Sequence, residues 1–126
     1  LESMKKLILF CVTLLAGCSL MIGPYDANEY FLITQVRTIA ENTNCANPIQ
    51  SANHIEMLFM TTAELKNYSE YLPNNDAEIK LTSDLYKIVS ELHDKQNPAE
   101  FYCKAKLNII AKSAERIQQV TGSKPR

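Results

Sequence analysis

The chain has 126 residues, 46% of them hydrophobic, with 13 Lys and Arg against 14 Asp and Glu and a formal net charge of −1. That length predicts a single domain with a modest core. A nearly neutral balance with no basic run to track a phosphate backbone argues against nucleic acid as a partner, and three glycines leave no Gly-rich loop to cradle a phosphate.

The first predicted element is a targeting segment. Lys5 and Lys6 precede the apolar run Leu7-Ile8-Leu9-Phe10-Cys11-Val12-Thr13-Leu14-Leu15, which inserts into a bilayer but is too short to span it permanently. Met4 reads as the start of this segment, and Leu1, Glu2 and Ser3 as upstream sequence outside the fold. The residues Leu15-Ala16-Gly17-Cys18 resemble the lipobox of bacterial lipoproteins. The resemblance implies that residues 1–17 are a signal peptide cleaved before Cys18, whose thiol then carries a diacylglycerol. No cofactor is expected beyond that covalent lipid. Each buried CH₂ of an acyl chain contributes about 0.8 kcal/mol, so more than one chain anchors durably. Ser19 stands where an Asp retains enterobacterial lipoproteins in the inner membrane. By that resemblance the protein is expected in the cell envelope, anchored to the outer membrane and facing the periplasm.

Loss of residues 1–17 removes Lys5, Lys6 and Glu2, leaving 109 residues with 11 basic and 13 acidic side chains. Residues 18–25 read as a lipidated tether, 26–122 as the folded domain and 123–126 as a short basic tail free of it. The seven residues Ser19 to Tyr25 reach at most about 23 to 25 Å, which keeps the domain close to the lipid surface. With Cys11 lost and Cys18 acylated, Cys45 and Cys103 are the remaining thiols. In an oxidising compartment they are expected to pair, closing a loop of about 58 residues.

Four helices and no strands are predicted after the tether. Asp26 and Glu29 have capping-box spacing, followed by Leu32, Ile33, Val36, Ile39 and Ala40 at helical intervals, with the helix fading near Thr43. Asn47-Pro48-Ile49-Gln50 offers a second start, and Ile55, Leu58, Phe59, Thr62, Leu65, Ser69 and Leu72 mark one face up to Pro73. The turn Asn74-Asn75-Asp76 introduces a third helix with the stripe Ile79, Leu81, Leu85, Tyr86, Val89 and Leu92. Asn97-Pro98-Ala99-Glu100 repeats the cap logic, and Cys103, Leu107, Ile110, Ala114, Ile117 and Thr121 form a seam ending at Gly122. The expected fold is therefore all-α, a small four-helix up-down-up-down bundle with one disulfide. That topology puts Cys45 and Cys103 at one end and the tether at the other.

Catalytic residue patterns are absent from the sequence. His54 and His93 are far apart with no carboxylate or cysteine at ligand spacing, so neither a metal site nor an active site is expected, and the chain reads as a non-enzyme. The segments Leu32 to Cys45, and Ser83-Asp84-Leu85-Tyr86-Lys87-Ile88-Val89 through Asn97-Pro98 to Cys103, resemble the lipid-anchored pilotins of type II secretion systems. Residues 46–81 depart from that pattern, lacking its Gly-Trp turn. The resemblance implies capture of an amphipathic C-terminal helix of a secretin subunit. Two other readings fit the same residues: a phage- or plasmid-encoded protein that excludes superinfection or conjugative entry or inhibits a lysozyme, and a structural envelope lipoprotein. The third-helix stripe, with Leu81, Leu85, Ile88 and Leu92, is wider than one neighbouring helix pair covers, so part of it is expected to face outward and bind the partner.

Overall fold

The computed structural model describes residues 4–6 and 23–126. Leu15-Ala16-Gly17-Cys18, the cleavage position and tether residues 18–22 lie outside the described residues. Residues 23–126 form an all-helical domain of α1 (Ala27–Asn42), α2 (Pro48–Tyr71), α3 (Asp76–Asp94) and α4 (Glu100–Gly122). None of the described helices is long and apolar enough to cross a membrane.

Helix starts follow from local chemistry. Asp26 Oδ1 accepts from the Glu29 N–H at 2.9 Å, and Asn47 Oδ1 accepts from the Gln50 N–H at 3.1 Å ahead of Pro48. The third and fourth starts differ from expectation: Asn75 makes no side-chain cap for α3, its amide going to Glu29 and the Ser69 carbonyl instead. Asn97 adopts φ 50° and turns the chain, and α4 begins at Glu100 behind Ala99, which provides no side-chain cap. Pro98 helps explain the delay, because a residue before proline is pushed out of the helical region.

The helices close into a ring in which α1 packs on α2 and α4, and α3 packs on α2 and α4. The core comprises Ile33 and Val36 of α1, Leu58 and Leu65 of α2, Leu85, Val89 and Leu92 of α3, and Ile110, Ala114 and Ile117 of α4. The inward face of α4 is Cys103, Leu107, Ile110, Ala114, Ile117 and Thr121, the full seam read from sequence. On α3 the inward row is Glu78, Thr82, Leu85, Val89 and Leu92, while Ile79, Leu81 and Tyr86 flank it half-buried. Glu78 and Thr82 thus take places expected for Ile79 and Leu81.

A buried polar cluster explains that rotation. Glu29 Oε2 accepts from Ser69 Oγ at 2.8 Å and from Asn75 Nδ2 at 2.7 Å. Lys124 Nζ lies 3.4 Å from both Glu29 Oε1 and Glu78 Oε1 and donates to Asn75 Oδ1. The expected free tail is therefore partly in the fold, since Lys124 is 7% exposed. Charged groups enter a core only when paired and hydrogen-bonded, and here each one is.

Candidate functional site

The disulfide joins Cys45 to Cys103 with a Cα–Cα distance of 5.9 Å, so the α1–α2 connection is fixed to the first turn of α4. The connection is also tied locally: Asn44 Oδ1 accepts from Ala46 N at 3.0 Å, and Gln50 Oε1 accepts from Asn44 N at 2.7 Å. Between this segment and the α3–α4 connection lies a cleft of about 560 Å³, lined in part by Cys45, Pro48, Ile55, Glu56, His93 and Pro98.

His93 sits near the end of α3 with its ring stacked on Phe59, the centroids 4.0 Å apart. Its Nε2 lies 2.6 Å from Glu56 Oε2 on α2. Lys95, also in the cleft lining, places its Nζ 4.4 Å above the Tyr102 ring. Lys106 Nζ donates to Glu91 Oε2 at 2.9 Å; this bond holds the Glu91 carboxyl below its ordinary range and raises the Lys106 ammonium above its own. Ser51 Oγ, a hydroxyl in the cleft wall, donates to the Pro48 carbonyl at 3.2 Å. His54 is engaged elsewhere, its Nδ1 3.2 Å from Thr43 Oγ1. Among the described residues no three His, Cys, Asp or Glu side chains converge as a metal-holding group. The cleft lining is mixed, with Pro48, Ala52, Ile55 and Pro98 beside Ser51, Glu56, His93, Lys95, Gln96 and Asn97.

At the opposite end, Tyr68 donates its hydroxyl to Asp26 at 2.9 Å and accepts from Asn28 Nδ2 at 3.3 Å. The Asn28 bond favours the phenolate, but burial and the Asp26 carboxylate outweigh it and raise the Tyr68 hydroxyl above its ordinary range. A second hollow, lined by Tyr30, Arg37 and Gln118, is occupied by its own hydrogen bonds: Arg37 donates to Gln118 and Gln118 donates to Thr34.

The four α3 residues expected to bind a partner do not form an open face. Leu85 and Leu92 are 1% and 0% exposed, and Leu81 and Ile88 are half-buried against the core. α2 and α4 cover Leu85 and Leu92, so the part of the stripe that reaches the surface is the half-buried pair Leu81 and Ile88. Open apolar surface lies elsewhere. Ile49 is 78% and Phe101 85% exposed, in the first turns of α2 and α4; Met57 and Met60 on α2, Phe31 on α1, Ile109 on α4 and Tyr71 at the end of α2 are exposed as well. The register carried that signal. Ile49 and Phe101 each stand two positions before the first buried residue of their helix, Ser51 and Cys103, and two helical steps rotate about 200° to the opposite face. No family model matches the chain, and comparisons with curated proteins and with solved structures also give no match.

Proposed function

We propose that the chain is a non-catalytic lipoprotein of the bacterial cell envelope, anchored to the outer membrane through acyl chains on Cys18 and holding a partner protein at the far end of its bundle. The observation that carries the reading is the Cys45–Cys103 bond. Once the segment before Cys18 is cleaved and Cys18 is acylated, these are the remaining thiols, and their pairing fits an oxidising compartment.

In this reading the four helices run up, down, up and down. Contacts that join the first half of one helix, or its cap, to the second half of its neighbour support it: Asp26 with Tyr68, Glu56 with His93, Lys106 with Glu91, and Thr34 with Gln118. The 24 residues of α2 span about 36 Å, so the cleft, Ile49 and Phe101 stand well away from the lipid surface. Ile49 and Phe101 do not line the cleft, but exposed aromatic and aliphatic side chains at the same end of the domain are usual anchors of protein recognition. The occupant proposed is an amphipathic helix with its apolar face toward Ile49 and Phe101, as the pilotin resemblance implies.

Labelled fatty acid fed to cells expressing the full chain is expected in a form beginning at Cys18 and absent from the Cys18→Ser variant. Label entering that variant overturns the anchor. Crosslinking in native envelopes is expected to retain one specific protein, a secretin subunit if the occupant is pilotin-like. Recovery of lipid alone overturns the binding role.

A further inference from the structure

We propose that residues 123–126 are a clasp, closed by the burial of Lys124, that holds residues 23–25 against the bundle ahead of α1. Ser123, Pro125 and Arg126 are exposed while Lys124 between them is buried, so a single side chain leads the segment into the fold. A buried ammonium is costly unless its charge is met, and Lys124 meets Glu29 from the first turn of α1 and Asn75 and Glu78 from the start of α3. Without it, two carboxylates no more than 5% exposed are left with no cation between them.

The residues after Lys124 grip the chain entering α1. Tyr25 N donates to the Pro125 carbonyl at 2.9 Å, and the Arg126 guanidinium lies 4.4 Å from the Tyr25 ring centroid. From the other side, Gly23 N donates to the Asn74 carbonyl at 3.2 Å. That approach is close: a Cβ at Gly23 would meet the Pro73 carbonyl oxygen at 2.9 Å. Residues 23–25 are thus held between the α2–α3 turn and the tail.

Asp26, by contrast, is secured independently by its own bonds to Glu29 N and Tyr68. Opening the clasp leaves the Gly23 bond to the Asn74 carbonyl as the remaining tie on residues 23–25; once that single bond also opens, three residues are freed, which adds about 10 Å of reach. On the lipoprotein reading, this added reach lengthens the tether between membrane and domain; the clasp itself does not depend on that reading.

Amide exchange of the full chain in detergent, read by mass spectrometry, tests the clasp. Two variants are compared with the parent: Lys124→Met, and a chain stopped after Lys124 that keeps the buried ammonium but lacks Pro125 and Arg126. In both, exchange at Tyr25 is expected to rise at least about tenfold while amides of the α2 core around Leu58 and Leu65 stay protected. The stopped chain keeps the test decisive should Lys124→Met unfold. Unchanged protection at Tyr25 in the stopped chain overturns the clasp, whether or not Cys18 proves to be acylated.

Discussion

Asp26 caps α1 by accepting from the Glu29 N–H, but the Glu29 carboxylate does not turn back to close the box; it points inward to Ser69, Asn75 and Lys124. Glu29→Ala removes the shared acceptor of two buried donors and leaves Lys124 with Glu78 as its remaining buried carboxylate. The expected loss is about 3 kcal/mol, a melting temperature lower by roughly 10 to 20 °C, whereas Glu29→Gln keeps the volume and one acceptor and loses less. Thermal unfolding followed by circular dichroism checks the order; an Ala variant that melts with the parent removes the cluster from the account of stability. The cluster was not legible beforehand because its members validate one another. Asp-x-x-Glu at a helix start spells a capping box, and the spacing is silent on whether the second carboxylate turns back or in. That choice is made by Ser69 and Asn75, 40 and 46 positions away. Lys124 reads as part of a free basic tail for the same reason, and nothing in the spacing of α3 singles out Glu78.

Elements were legible where apolar spacing and local chemistry agreed. The α4 seam is clear because Cys, Leu, Ile and Ala recur at intervals of three and four, and the inward residues Thr62 and Thr121 satisfy their hydroxyls on their own helices, at Leu58 O and Ile117 O. On α3 the apolar pattern was ambiguous, and pairing of Glu78 with Lys124 selects the rotation that apolar content alone did not. The disulfide was foreseen by cysteine counting, and its 58-residue separation makes it the main covalent restraint on the element order. Peptide mapping without reduction is expected to find Cys45 joined to Cys103. Reduction is expected to cost up to about 4 kcal/mol in the chain-entropy description, with Cys45→Ser and Cys103→Ser losing equal amounts. Free, separately alkylated Cys45 and Cys103 in the folded protein would remove the staple and the anchoring of the α1–α2 connection.

At the scale of the whole molecule the bundle has two unlike ends. One gathers Gly23, Tyr25 and the tail around buried charges, with Tyr71 exposed at the end of α2; the other gathers the disulfide, the cleft and the exposed Ile49 and Phe101. Partner capture, if it belongs to the second end, must separate from stability in a defined way. Ile49→Asp and Phe101→Asp replace side chains that contribute little to the core, so helicity and melting temperature are expected to stay within the small range typical of surface changes, about 0.5 kcal/mol. Capture of the crosslinked partner from envelopes is expected to fall at least tenfold in each, since removing a central apolar anchor from an interface costs about 2 kcal/mol or more. Leu85→Asp supplies the opposite case. It buries a carboxylate at a position 1% exposed and is expected to unfold the domain, losing capture and helicity together. If Phe101→Asp retains full capture while a charged residue at half-buried Ile88 abolishes it without unfolding the bundle, the binding face returns to α3 and the cleft end has another use.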